Sequence, residues 1–234
     1  MIDYRQFCSD MRDQLDCGSC TAFGTWSAWE TILRMNEIDY DGSERDLFLR
    51  SGGICSMGNH MEPVLNTAKK WIASEEDCPY VPRDTRCQKP NDWIKRSKSL
   101  DSWKEIKNQT QMKELIKTVP MVGVMAVHQS FLHYKGGIYS PLGRQDPIVG
   151  YHCIGIVGYD AVNDAWLLRN SWSEDWGMKG YCWIRCGTSE IDDVMYSITL
   201  NPNDPPEPNP NPEPEKPWWQ RLIEWLIELW ERIT

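Results

Sequence analysis

The residues best suited to covalent chemistry are a cysteine near the start of the chain and a distant histidine and asparagine. Cys20 ends a Cys-Gly-Ser-Cys segment, His152 follows about 130 residues later, and Asn170 opens an Asn-Ser-Trp segment. Only four histidines occur in the chain, so the choice of a partner for Cys20 is narrow. A thiol, an imidazole and a carboxamide together make a Cys-His-Asn nucleophilic site. The spacing therefore predicts a thiol hydrolase that attacks through Cys20.

Cys20 must be ionised to attack, and its surroundings offer two ways to ionise it. Gly18 and Ser19 are small enough to let the chain turn tightly into a helix that begins near Cys20, and a helix N-terminus favours a negative charge. His152 would place a full positive charge beside the sulfur. Asn170 would accept a hydrogen bond from the far ring nitrogen of His152, which orients the ring without adding another negative charge.

The tetrahedral intermediate of acyl transfer needs hydrogen-bond donors for its oxyanion. The backbone N–H of Cys20 is one candidate, and the side-chain amide of Gln14, six residues earlier, is the other. Trp172 would shield the hydrogen bond between His152 and Asn170 from water. Cys17 is a rival nucleophile because its Asp-Cys-Gly context resembles bacteriocin-leader peptidases. Those enzymes place the glutamine six residues before the nucleophile, which again favours Cys20.

With these residues in place, the chain resembles the papain-like cysteine peptidases from about Tyr4 to about Leu200. Several motifs occur in the family's order and at its separations, which is more specific than any one motif alone. The matching segments are Gln14 to Phe23, Cys78-Pro79-Tyr80, Gly136-Gly137-Ile138-Tyr139, His152 to Tyr159, Leu168 to Trp172, Trp176-Gly177 and Gly180-Tyr181.

The resemblance implies an α+β, papain-like fold of two lobes. A helical left lobe and an antiparallel, β-barrel-like right lobe would enclose the active site in the cleft between them. By the same resemblance Cys20 is the nucleophile, His152 the acid-base, Asn170 the orienting group and Gln14 the oxyanion donor. The expected activity is that of a cysteine endopeptidase of a bacterial or phage type without a pro-segment, acting on peptides or proteins with no cofactor and no metal.

The resemblance also assigns substrate contacts. Gly58 would hydrogen-bond to the backbone of an extended substrate. Trp176 would form the wall of the cleft on the side of the leaving group, and Trp172 would lie beside the histidine. Tyr151 stands before the histidine, where aspartate is common in the family, so the substrate preference on that side is open. Thr21 and Ser173 are further departures from the family pattern.

The cysteine pairing is implied by the resemblance as well. Cys17 would pair with Cys55. Arg50 occupies a position that is often a cysteine, so Cys87 would pair with Cys78 instead. For Cys8, Cys182 and Cys186 a zinc site is an alternative to a disulfide or simple burial.

Two other functions remain open from the sequence. One is a non-catalytic peptide- or glycan-binding module on the same fold. The other is a thiol hydrolase acting on the peptide cross-links of cell walls. Glu190, Asp192 and Asp193 are predicted to form a solvated turn, with the alternative that they lie near the pocket for the second substrate residue upstream of the cleavage point.

The elements that must position these residues follow from the hydrophobic pattern. Helical spacing predicts helices over 21–36, 62–71 and 103–117. Short apolar runs predict buried strands at 121–127, 153–159, 165–170 and 180–185. Helices first and strands later are typical of an α+β domain, here residues 1–200.

The net charge, the cysteine count and the first residues of the chain bear on its possible partners and on its location in or outside the cell. The formal net charge is −9 and no basic stripe appears, which argues against nucleic acid as a partner. Nine cysteines suggest an oxidising compartment, but the first residues do not resemble a signal peptide. The location is therefore left open between the cytoplasm and release without an N-terminal signal.

The composition changes sharply after Leu200. Residues 201–217 contain eight prolines and are predicted to form a stiff linker. Residues 218–234 are rich in tryptophan, leucine and isoleucine, with charged residues confined to about a third of a helical wheel. This segment is predicted to be an amphipathic helix for self-association, for a protein partner or for contact with a membrane surface.

Overall fold

The computed structural model describes residues 1–200, so the predicted linker at 201–217 and helix at 218–234 lie outside the described residues. The α-helices are α1 (Cys20–Met35), α2 (Glu44–Arg50), α3 (Met61–Ala68), α4 (Trp93–Arg96) and α5 (Gln109–Leu115). The strands are β1 (Ile2–Asp3), β2 (Leu100–Ile106), β3 (Met121–His128), β4 (Ile138–Tyr139), β5 (Ile148–Asp160), β6 (Ala165–Arg169), β7 (Tyr181–Arg185) and β8 (Met195–Leu200). Single 3-10 turns span Arg5–Phe7 and Gln129–His133.

Helix α1 confirms the prediction for 21–36 and begins at Cys20 itself. Its predicted apolar residues, including Phe23, Trp26 and Trp29, are all buried. The one charged residue within its buried stretch, Glu30, is neutralised by Arg169 of β6, whose Nη1 lies 3.2 Å from the Glu30 carboxylate. Burial of both ends of this ion pair anchors α1 against the sheet.

The prediction for 62–71 is confirmed in type, although the helix, α3, is shorter at its C-terminal end. Val64, Leu65 and Ala68 form its buried face, as the spacing indicated. The prediction of a helix over 103–117 is wrong in its first half, because residues 100–106 form β2. Leu100 pairs with Leu200 and Ile106 with Met195 of β8, and this long-range pairing overrides the local helical pattern.

The second half of that segment is helical, and its start is set by a side chain. Asn108 accepts a hydrogen bond from the backbone N–H of Gln111, so it caps the N-terminus of α5. A helix begun at Trp103 would have to include Asn108 in its interior, where a short polar side chain competes with the backbone.

The strands form one sheet in the order β2-β8-β3-β5-β6-β7-β4, with β1 added beside β5. Neighbouring strands are antiparallel except for the parallel pair β4 and β7. This confirms the α+β class and the antiparallel character of the strand-rich part. The expected barrel is not closed, however, because no pairing joins β2 to β4 within residues 1–200.

Two hydrophobic cores lie on the two sides of this sheet. One contains Trp26, Trp29 and Leu65 from the helices together with Val122 and Ile198 from the sheet. The other contains sheet residues and the aromatic loop residues, with Phe131, Trp166 and Trp176 among them. Across residues 1–200 there is no helix with both the length and the apolarity to cross a membrane.

The structure contains both cysteine pairs that the resemblance implied, Cys17–Cys55 and Cys78–Cys87. Cys8, Cys182 and Cys186 are free thiols. Cys8 contacts the Thr31 hydroxyl on α1, whereas Cys182 is buried in β7. Over the range 1–200 no three His, Cys, Asp or Glu side chains are grouped as metal ligands, which leaves the zinc alternative without support.

Candidate active site

Cys20 is the first residue of α1, at the end of a turn held by the Cys17–Cys55 disulfide. The backbone N–H of Gly18 donates to the carbonyl oxygen of Cys55 at 2.8 Å. A Cβ at position 18 would lie 2.9 Å from that oxygen, so the close approach requires glycine. The turn therefore presents Cys20 at the N-terminus of a buried helix, where the helix dipole favours a thiolate.

Tyr80 fixes the other side of this turn. Its hydroxyl lies 2.8 Å from the Ser19 hydroxyl and donates to the carbonyl oxygen of Gln14 at 2.7 Å. One side chain thus ties together the segment before the nucleophile and the segment that carries the glutamine.

His152 lies on β5 and meets Asn170, which follows β6. The ring Nε2 of His152 and Oδ1 of Asn170 are 2.8 Å apart. The same oxygen accepts the backbone N–H of Ser171 at 2.9 Å, which fixes the orientation of the carboxamide. Because Asn170 presents an acceptor, Nε2 must be the protonated nitrogen, and Nδ1 is left for Cys20.

Trp172 covers this hydrogen bond. Its ring lies 4.8 Å from the His152 ring, centroid to centroid, at an interplanar angle of 33°. His152 and Asn170 are each only 4% exposed. Exclusion of water strengthens the hydrogen bond and limits rotation of the imidazole.

The electrostatic surroundings favour a charged sulfur on Cys20. A hydrogen bond from the neighbouring Cys153 thiol holds the pKa of Cys20 well below its ordinary value. Burial works in the opposite direction, and the hydrogen bond and positive charge of His152 add to the lowering of the pKa. Cys20 has the surroundings of a reactive thiolate.

Gln14 is oriented for a role beside Cys20. Its Nε2 donates to the carbonyl oxygen of Cys17 at 2.9 Å, and its Oε1 accepts from the Ser171 hydroxyl at 2.6 Å. These two bonds define which end of the amide is the donor. An amide nitrogen carries two hydrogens, so one remains for an oxyanion.

The nucleophile opens into a cleft with a cavity volume of about 700 Å³. Two predicted substrate contacts, Gly58 and Tyr151, line it. Gly58 has a φ of +77°, a conformation that glycine adopts without strain. Tyr151 is 65% exposed, and the nearby Glu190 carboxylate raises the pKa of Tyr151. The remaining walls include His60, Met61, Val124 and Tyr196.

Trp172 and Trp176 do not line this cleft. They pack against each other and against Phe131, and Trp172 also packs on the ring of His152. Trp176 is 8% exposed and donates its indole N–H to the Phe131 carbonyl. Their direct contact with substrate stays a prediction, whereas their support of the His152 side is visible.

The predicted acidic turn is only partly solvated. Glu190 and Asp193 are exposed, and Glu190 lies near Tyr151 at the cleft. Asp192 instead accepts hydrogen bonds from the Trp166 indole and from the Gln109 amide, so it holds the turn to β6 and α5.

A comparison with known protein families matches residues 1–199 to the family described as papain family cysteine protease. The chain belongs to the papain family. The family match covers every residue of the Cys20, His152, Asn170 and Gln14 arrangement described above.

Individual papain-family relatives match this chain at low sequence identity but over most of its length. Peptidase 1 of Psoroptes ovis is 30% identical over 193 residues, which are 77% of this chain and 58% of that protein. Germination-specific cysteine protease 1 of Arabidopsis thaliana is 29% identical over 226 residues, or 86% of this chain and 58% of that protein. The chain thus spans little more than half the length of these curated relatives.

A solved papain-family structure shows the same architecture. The cysteine protease of Carica candamarcensis in complex with E-64 superposes with a TM-score of 0.72 at 25% identity. The superposition covers 86% of this chain and 98% of the other.

Two site residues were not singled out from the sequence. Ser171 orients Gln14, and Cys153 lines the same cleft as the nucleophile. Ser171 follows Asn170 directly, but its contact with Gln14 joins residues far apart in the chain. Cys153 is adjacent to His152, and the alternation of side chains along a strand gives a sequence signal that it points away from the histidine.

Proposed function

We propose that the protein is a cysteine endopeptidase that cleaves peptide bonds through an acyl-enzyme on Cys20. The observation that carries this proposal is the alignment of three groups from different elements. Cys20 begins α1 and lines the same cleft as His152, and Asn170 accepts a hydrogen bond from the far ring nitrogen of His152 at 2.8 Å.

The first half-reaction forms a thioester. The Cys20 thiolate attacks the scissile carbonyl carbon, and the resulting oxyanion receives hydrogen bonds from the Cys20 backbone N–H and the free amide hydrogen of Gln14. His152 then gives its Nδ1 proton to the departing amine as the C–N bond breaks.

The second half-reaction returns the enzyme to its starting state. Water attacks the thioester carbonyl while Nδ1 of His152 takes a proton from it. Collapse of the second tetrahedral intermediate releases the carboxylic acid and regenerates the Cys20 thiolate beside protonated His152. Asn170 keeps the ring in place through both steps because it hydrogen-bonds to Nε2, whereas the proton transfers occur at Nδ1.

The substrate is an extended peptide or protein segment. The cleft is open, and its floor includes Gly58, where the absent side chain leaves room for another backbone. Tyr151 lines the cleft with the nucleophile, and the carboxylate of Glu190 lies near it. For residues 201–234 we propose a linker and a docking helix, on their composition alone.

The test is hydrolysis of casein, combined with labelling by an epoxide inhibitor directed at thiols. Wild type should hydrolyse casein and gain one inhibitor mass, whereas Cys20→Ala should do neither. Cys186→Ser, which removes a free thiol away from the cleft, should behave as wild type. Unchanged labelling of Cys20→Ala, or casein binding without cleavage by wild type, would contradict the proposal.

A further inference from the structure

A small cavity lies beside Asn170, between α1 and the strands β5 and β6. Its volume is about 10 Å³, which is close to the room that one water molecule needs. Ser27 of α1 and Asn170 both line this cavity. Neither residue lines the larger cleft that contains Cys20, so the cavity is not part of the space that receives the substrate.

Two glycines bring α1 close enough to the sheet to enclose this cavity. A Cβ on Gly24 would lie 2.9 Å from a backbone nitrogen of β5, so no side chain fits between the helix and the strand there. A Cβ on Gly155 of β5 would collide with the Ser27 hydroxyl oxygen. Gly155 pairs with Arg169 in the register of β5 and β6. The Ser27 hydroxyl therefore lies against β5 at the point where β6 ends.

Three buried polar atoms of the lining residues have no hydrogen-bond partner within residues 1–200. They are the indole nitrogen of Trp26, the hydroxyl oxygen of Ser27 and Nδ2 of Asn170. These residues are 1%, 8% and 4% exposed, so each is more than nine-tenths buried. A buried polar group without a partner is costly, and in a polar cavity an ordered water usually satisfies it. The position of all three residues around one cavity indicates a shared ligand.

One water molecule matches the hydrogen-bonding capacity of these three atoms. Its oxygen accepts two hydrogen bonds, which the N–H groups of Trp26 and Asn170 would donate. One of its hydrogens would go to the Ser27 hydroxyl oxygen. The Glu30 carboxylate, which also lines the cavity, is an acceptor for the other hydrogen. The water would thus make the number of hydrogen bonds that is typical of buried water.

The end of Asn170 that faces this water is the end that the catalytic hydrogen bonds leave unused. Oδ1 of Asn170 accepts from His152 and from the backbone N–H of Ser171. Only Nδ2 remains, and a hydrogen bond from Nδ2 to the water would hold the second end of the same carboxamide. With both ends held, the carboxamide keeps the orientation that presents Oδ1 to the imidazole.

We propose that this cavity is a binding site for one water molecule, and that Ser27 is a positioning residue that holds the Asn170 carboxamide through that water. This deepens the proposed function and rests on it. Ser27 lies about two helical turns after Cys20 on α1. The water therefore connects the helix that carries the nucleophile to the residue that orients His152.

Crystallography of the full-length protein, at a resolution that shows ordered water, tests the site itself. We expect one water within about 3.2 Å of both Nδ2 of Asn170 and the Ser27 hydroxyl oxygen. A cavity without water would overturn the proposal, as would a water that contacts only one of these two atoms. This measurement needs no variant and no peptide turnover.

Steady-state kinetics on a peptide substrate test the positioning role. Ser27→Ala should lower kcat about fivefold with KM unchanged, which is the loss expected from one hydrogen bond. In the Asn170→Ala background the same change should lower kcat no further, because the carboxamide that the water holds is then absent. A role of Ser27 in folding alone would instead lower kcat by the same factor in both backgrounds.

Thr25→Val is the matched control. It removes another buried hydroxyl from α1 at nearly constant size, and Thr25 does not line the cavity. The Thr25 hydroxyl donates to the carbonyl oxygen of Thr21 at 2.8 Å, within the helix. The kcat of Thr25→Val should equal that of wild type.

Equal effects of Ser27→Ala in the two backgrounds would overturn the positioning role, as would a loss in Thr25→Val as large as that in Ser27→Ala. A wild-type protein that fails to cleave peptides would contradict the proposed function. The crystallographic result would still decide whether the cavity binds the water.

Discussion

Oδ1 of Asn170 accepts two hydrogen bonds, from Nε2 of His152 at 2.8 Å and from the backbone N–H of Ser171 at 2.9 Å. Both are buried, and the amide cannot turn over without breaking them. The ring of His152 is therefore held with one nitrogen committed to Asn170 and the other directed to the nucleophile. The orientation of the His152 ring is thus fixed by β5, which carries His152, and by the segment after β6, which carries Asn170 and Ser171.

Replacing Asn170 should reduce turnover more than substrate binding. In Asn170→Ala the imidazole loses its acceptor, and misplacement of a catalytic group by about 1 Å costs about a hundredfold in rate. We expect kcat to fall by about that factor with KM little changed. Steady-state kinetics on a peptide substrate decide this, and a rise in KM at constant kcat would contradict the orienting role.

Gln14 offers a test of the oxyanion donor. Gln14→Glu keeps the acceptor for the Ser171 hydroxyl but replaces the donor with a carboxylate, so it should lower kcat by about a hundredfold or more. Ser171→Ala should have a smaller effect in the same direction, because it only loosens the amide. Single-turnover acylation rates give the comparison, and an equal or larger loss in Ser171→Ala would exclude Gln14 as the donor.

Glu44 should make stability depend on pH. Its burial raises the pKa of Glu44 to about 8, although the charge of Arg12, 2.7 Å away, opposes this. In the unfolded chain a glutamate titrates near pH 4.3, so between about pH 4 and 8 the folded protein binds the extra proton. The free energy of unfolding should therefore fall as pH rises through this range, by up to about 5 kcal/mol.

Urea unfolding at several pH values measures this effect. Glu44→Gln should flatten the dependence, whereas Glu114→Gln, at an exposed carboxylate of α5, should leave it unchanged. Parallel curves for wild type and Glu44→Gln would show that Glu44 is not the responsible group.

The two disulfides should differ in their contributions to stability. Cys17 and Cys55 are 38 residues apart and Cys78 and Cys87 only 9, so the first constrains the unfolded chain more. Paired alanine substitutions should lower the free energy of unfolding by about 4 kcal/mol for the first pair and about 2.5 kcal/mol for the second. A larger loss from the Cys78 and Cys87 pair would contradict this ordering.

The sequence predicted the elements whose signals are local. The helical spacing of large apolar residues from Phe23 to Leu33 and the small residues before Cys20 locate α1 and its N-terminus. The positions of His152 and Asn170 were recognisable because each lies in a strand-like run with several landmark residues. These local patterns predict the structure correctly because the apolar residues that form them are also the residues buried in the folded protein.

The features that the sequence did not predict depend on long-range pairing. Residues 100–106 have no strong strand pattern, and only their pairing with β8 makes them a strand. Closure of the sheet into a barrel likewise depends on whether its two edge strands, β2 and β4, pair with each other. The close approach of α1 to β5 at Gly24, where a Cβ would lie 2.9 Å from the Ile154 backbone nitrogen, is specified by no local pattern in either segment.

The most direct test of the Cys20 and His152 pair is the ultraviolet absorbance of the thiolate, measured against pH before and after Cys20 is blocked. In wild type we predict that blocking removes one thiolate equivalent at neutral pH, and that in His152→Ala this signal is weaker at neutral pH and has its midpoint at a higher pH, because the hydrogen bond and positive charge of His152 are lost. A wild-type protein with no such signal at neutral pH, or one unaffected by His152→Ala, would contradict the paired thiolate on which the proposed function rests.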